Sequence, residues 1–103
     1  MRRFRVAILD EAEGDLDEIR RYVAEEGSEP VADRLVEALL ERSEKLASFP
    51  GRGAPRPDLG RGVRTLVHKR AVIIVYRVGD QIVEVVGFCY RGRNVATAME
   101  NRM

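Results

Sequence analysis

The chain has 103 residues, 45% of them hydrophobic and 34% charged, which suits one soluble globular domain (1–103) with one core and a heavily charged surface. Its one cysteine excludes an intramolecular disulfide, and its one histidine excludes a paired-histidine metal site. The longest uncharged apolar run, Ala71–Tyr76, is far short of the roughly 20 residues that cross a bilayer, so a cytoplasmic protein is expected.

The net charge of +1 conceals an asymmetry. Residues 10–50 hold 13 acidic and 5 basic side chains, whereas residues 51–103 hold 4 acidic and 10 basic ones. A basic half attracts nucleic acid or an acidic protein partner, or it complements the acidic half within the fold. Both readings stay open at this point.

In chain order, "MRRFRVAILDEAEG" opens with basic residues and a short apolar run. Acids follow at once without a small-residue cleavage site, so a signal peptide is not expected. Arg3–Leu9 alternates weakly through Phe4, Val6 and Ile8 and predicts a short strand. Asp10 and Glu13 fit a capping box, and Ala12, Leu16, Ile19 and Val23 form one helical stripe. Gly27 is expected to end that helix in the left-handed conformation. Ser28 would cap a second helix, with Pro30 in its first turn. The apolar face of this helix runs through Ala32, Leu35, Leu39 and Leu46, widened by Val36, Leu40 and Ala47. Two amphipathic helices joined by about two residues make an antiparallel hairpin.

"FPGRGAPRPDLGRG" (49–62) has three of the four prolines and reads as a loop. Three strands follow, at Val63–His68, Ala71–Val78 and Gln81–Tyr90. Gly79-Asp80 is expected to form a two-residue hairpin turn with glycine at positive φ, and "HKRA" a similar tight connection. The order β-α-α-β-β-β gives an α+β fold: an antiparallel sheet with the helical hairpin on one face. A last short helix is expected within 94–101.

Several residues invite a chemical reading. Gly51-x-Gly53 and Gly60-x-Gly62 do not complete a phosphate-binding glycine motif, because Arg56 and Thr65 stand at the third glycine position. His68, at a strand end beside Lys69, reads as a solvent-facing turn residue rather than a general base. The acids of the first helix, Asp15 among them, read as a solvated face. Cys89, in an apolar run without a base nearby in sequence, reads as packing. Arg64, Lys69, Arg70, Arg77, Arg91 and Arg93 fall on the strands or their ends and can converge on one rim although distant in sequence. With Tyr76 or Tyr90 nearby, such guanidinium forks suit phosphate or carboxylate recognition; scattered solvated charge is the plain alternative.

The blocks "DLDEIRRYVAEE", "ADRLVEALLERSEKLASFPGRGAPRP", "GVRTL" and "VIIVYRV", followed by a strand ending in arginine, closely resemble the ParE branch of the RelE/ParE toxin superfamily over nearly the whole chain. The resemblance implies the toxin of a bacterial type II toxin–antitoxin pair, without cofactor or metal. It implies a ParD-like ribbon-helix-helix antitoxin as partner, a toxin–antitoxin hetero-oligomer, and DNA gyrase as target. Neither membrane association nor direct sequence-specific DNA binding is expected. Arg64, Tyr76, Arg77, Tyr90, Arg91 and Arg93 are the expected contacts with antitoxin or target.

RelE-like relatives cleave mRNA on the ribosome, and in that alternative Arg64 and Arg93 would stabilise charge. The basic position on the "VIIVY" strand is instead apolar, around Ile73, and the tyrosine expected after the last strand falls at about Met99. Tyr90 and Asn94 stand where ParE-like sequences commonly have histidine and aspartate. A third alternative is a degenerate member that binds antitoxin without toxicity.

Overall fold

The structure is a computed structural model and describes residues 3–90 and 92–103. Its elements are β1 (Arg5–Ile8), α1 (Asp10–Glu26), α2 (Glu29–Glu44), a 3-10 turn at Lys45–Ala47, β2 (Ala54–Pro55), β3 (Val63–His68), β4 (Val72–Val78), β5 (Ile82–Tyr90) and α3 (Val95–Ala98). The expected α+β order is present. The sheet is not wholly antiparallel, however: its order is β1-β5-β4-β3-β2, and β1 pairs parallel with β5. The two-residue β2 lies inside the segment expected to be pure loop and pairs with Arg64 and Thr65 of β3.

The helix boundaries correct two expectations. Leu9 caps α1 without any side-chain bond, so Asp10 and Glu13 form no capping box; they lie in the acidic first turn, where carboxylates favour the positive end of the helix dipole. Gly27 ends α1 at φ −134°, outside the left-handed region, while its N–H bonds to the carbonyl of Val23. The Ser28 hydroxyl accepts from the Val31 N–H at 3.3 Å, as the sequence suggested. The second helix stops at Glu44, with Leu46 and Ala47 carried by the 3-10 turn.

The hairpin covers one sheet face. Ala12, Leu16, Ile19, Val36 and Leu39 pack on Leu66, Val72, Ile74, Tyr76, Val83, Val85 and Phe88. A second, smaller core lies on the other face, where Val95 and Met99 cover Val63, Val75, Val86 and Cys89. A register shift between Val75 and Tyr76 sets Gly87 against Val75 and Val85 against Tyr76, leaving Val86 as an extra residue in β5. The bulge resets the strand's alternation, so Phe88 rejoins the helical face while Val86 and Cys89 serve the other.

The turns also differ from expectation. Gly79 N–H bonds to the Ile82 carbonyl, so Asp80-Gln81 form the hairpin tip, and Gly79 is not at positive φ. The tight connection between β3 and β4 is formed by Lys69 and Arg70, at φ 48° and 61°. Among the described residues no helix is long and apolar enough to cross a membrane.

Candidate functional site

Strand pairing distributes the basic residues, for which one shared rim was a possibility, between two ends of the sheet. Arg64 lies opposite Tyr76, and Val63 opposite Arg77, at one end of the sheet. The Lys69-Arg70 turn is at the other end, where Val72 pairs with Tyr90 and Arg93 follows. Val72 to Tyr76 is four strand steps, about 13 Å. The backbones of Arg64 and Arg93 therefore lie toward opposite ends of the sheet. Arg91, a further candidate for that rim, lies outside the described residues.

At the first end, the side chains are largely engaged in holding the fold. Tyr76 is fully buried. Its hydroxyl donates to the Pro50 carbonyl at 2.8 Å and accepts from the Gly53 N–H at 2.7 Å, pinning the Pro/Gly-rich loop to β4. Tyr76 is thus a loop anchor, which corrects its expected role as a surface contact; the apolar strand around it forces the ring into the core. Arg64 donates to the carbonyls of Gly51 (3.2 Å) and Gly53 (2.6 Å) in the same loop. Arg77 is half-buried and bonds to its cross-strand neighbour Glu84 through Nε and a terminal nitrogen, at 3.1 and 2.7 Å.

At the second end, a cleft of about 210 Å³ opens between α1 and the end of β5, lined by Asp15, Glu18, Ile19, Tyr22, Tyr90 and Arg93 among others. The Tyr22 and Tyr90 rings meet edge to face, with centroids 5.4 Å apart. The Tyr90 hydroxyl is buried with no hydrogen-bond partner among the described residues. Arg93 is exposed. The cleft exists because β1 pairs only with Ile82–Val85, leaving the edge of β5 beyond it without a strand. Asp15 fills part of that gap by accepting the Phe88 N–H at 2.9 Å.

The titrating groups here are tuned toward staying protonated. Burial pushes the Tyr90 phenol up, with a smaller push from Tyr22. Burial likewise raises the Cys89 thiol against the opposing pull of Arg93, consistent with a packing role. With the exposed Arg93 guanidinium beside it, this end offers hydrogen-bond donors and an aromatic wall next to the carboxylates of Asp15 and Glu18. His68, expected in solvent, is buried: its Nδ1 lies 3.4 Å from an Arg42 guanidinium nitrogen, and its Nε2 has no partner among the described residues. Burial foremost, then the charges of Arg42 and Lys69, holds its pKa down. It turns inward because the left-handed turn follows directly after it and α2 closes over the strand end.

Sequence reasoning missed Asp15 and Arg102, which bond to each other beside the cleft. The signal was present for Asp15, which falls three residues after Ala12 and four before Ile19, on the buried stripe of α1. Met99 is buried in the second core, against β5.

Residues 6–95 match the family model described as the ParE toxin of the type II toxin–antitoxin system parDE. No curated protein matches the chain. Among solved structures, one chain of a chromosomal ParDE toxin–antitoxin system from P. aeruginosa is similar at TM-score 0.73 and 23% identity, covering 84% of this chain and 95% of that one. A chain of the RelBE2 toxin–antitoxin complex from Mycobacterium tuberculosis is similar at TM-score 0.66 and 21% identity, covering 90% and 97%. At these identities the structural likeness concerns the fold.

Proposed function

Because the chain belongs to the ParE toxin family of type II toxin–antitoxin systems, we propose that it acts in the bacterial cytoplasm by binding DNA gyrase, without catalytic turnover. A ParD-like ribbon-helix-helix antitoxin would hold it silent in a hetero-oligomer. The observation that carries this reading is the family match itself, which runs from β1 to the start of α3.

The arrangement of side chains supports binding over RNA cleavage. Cleavage needs groups that move a proton at the 2′-hydroxyl and others that offset charge on the same phosphate. Arg64 and Arg93 stand at opposite ends of the sheet, Arg64 is engaged with loop carbonyls, and the one imidazole is buried. Arg93 and Tyr90, beside the cleft, are the contacts best placed for a partner, with Arg77 at the other end. Acidic side chains of an antitoxin would pair with the arginines at the rim.

The test is purified toxin added to gyrase and supercoiled DNA. Accumulation of cleaved DNA, suppressed by the antitoxin, is the expected result. Unchanged DNA together with codon-specific mRNA cuts on ribosomes would overturn the reading in favour of a ribonuclease. No effect in either assay, with antitoxin still bound, would leave a toxin that has lost its target.

A further inference from the structure

We infer that residues 94–103 form a strap that lifts off the sheet as a unit while the rest of the fold stays intact, uncovering an apolar face that includes Cys89.

Three observations carry this. First, the strap closes its own backbone bonds. Ala98, Met99 and Arg102 donate to Asn94, Val95 and Met99, and the Asn94 side chain caps the Thr97 N–H at 3.1 Å. None of these bonds reaches the sheet, so opening breaks no ladder. Second, its apolar contacts belong to a separate core. Val95 and Met99 pack on Val63, Val75, Val86 and Cys89, and no strap residue belongs to the larger core under the helical hairpin. Third, among the described residues its side-chain fastening to the rest of the molecule is concentrated in one residue. Arg102 grips Asp15 through both terminal nitrogens, at 2.6 and 3.0 Å, and reaches the Val86 carbonyl at 3.2 Å.

The sheet has a seat for this strap. A Cβ on Gly87 would stand 2.6 Å from the Met99 sulfur and methyl and 2.7 Å from an Arg102 nitrogen. The bulge turns Gly87 outward, and its missing side chain is the slot that Met99 and Arg102 occupy. A segment with a separate core, its own backbone bonds and, among the described residues, one ionic fastening is the kind of unit that opens below the global unfolding free energy. When it opens, Val75, Val86 and Cys89, all buried in the closed state, lose their cover.

Cys89 is the only cysteine and is 2% exposed, so it reports the opening directly. The full chain is labelled with a thiol reagent at a series of urea concentrations below its unfolding transition, and global stability is followed by circular dichroism. The expected result is labelling faster than global unfolding permits and nearly independent of urea. Arg102→Ala should speed it about tenfold or more beyond any loss of global stability, as removing one partner of a largely buried ion pair implies. Arg102→Lys, which keeps the charge without the fork, should fall between. A chain ending at Asn101 should behave like Arg102→Ala. Labelling that follows the global unfolding equilibrium in every variant would overturn the strap.

Discussion

Asp15 and Arg102, 87 residues apart in sequence, meet in a two-bonded ion pair in which each side chain is less than one-fifth exposed. The same carboxylate accepts the Phe88 N–H, so one side chain on α1 joins the helix, the free edge of β5 and the C-terminal segment. Asp15→Ala leaves both a guanidinium and a strand N–H without their partner. Loss of one member of a buried pair costs about 3–5 kcal/mol, and the remaining exposure places this one near the lower bound. Urea unfolding checks the value. The double variant Asp15→Ala/Arg102→Ala should recover part of the loss, giving a coupling energy of about 1–3 kcal/mol.

This pair also marks where the sequence stops being informative. The helices, the three long strands and their order follow from periodicity and turn residues, which are local. Pairing with β1 in parallel, the bulge at Val86 and the far-apart partners of Asp15 depend on which segments meet. The basic residues show the same division. Their presence on strand ends was legible, but their distribution between the two sheet ends is fixed by register. Tyr76 and His68 carried a polar-residue signal that suggested surface; the backbone groups and α2 residues that enclose them are distant in sequence.

Tyr76→Phe keeps the ring and removes the hydroxyl that bridges Pro50 and Gly53. The Gly53 N–H then lies buried without a partner, a loss of about 1–3 kcal/mol. Amide exchange should locate it: Gly53 protection falls by more than the global change accounts for. Uniform loss across the chain would contradict the anchoring role.

Two glycines should rank in a defined order. At Gly53 a Cβ would meet the Thr65 carbonyl oxygen at 2.6 Å and the Tyr76 hydroxyl at 2.7 Å, and the first of these is backbone that cannot rotate away. At Gly87 the obstacles are the flexible ends of Met99 and Arg102. Gly53→Ala should therefore destabilise by about 3 kcal/mol and Gly87→Ala by less, at the low end of the usual 1–3 kcal/mol for overpacking. Urea midpoints measured side by side give the order.

Arg64 and Arg93 should differ in what they lose. Arg64→Ala removes two bonds to loop carbonyls and should cost about 1–2 kcal/mol of stability. Arg93 is exposed, so Arg93→Ala should stay within about 0.5 kcal/mol of the parent. Its effect should instead appear in binding, as a weaker complex with the antitoxin and a steeper loss at low salt, measured by calorimetry at two ionic strengths.

His68 gives the fold a pH dependence of definite sign. Burial, with Arg42 and Lys69 nearby, lowers its pKa in the folded state, so the unfolded chain takes up the proton first as pH falls. Its contribution is complete above the ordinary histidine value of about 6.5 and is lost progressively as pH drops from there through the lower folded-state value. Urea midpoints should thus be flat from pH 8 to 7 and decline from pH 6.5 to 5, above the range where most carboxylates titrate. In His68→Gln, which cannot charge, the decline over that window should shrink. An equal slope in both proteins would assign the acid sensitivity to carboxylates elsewhere.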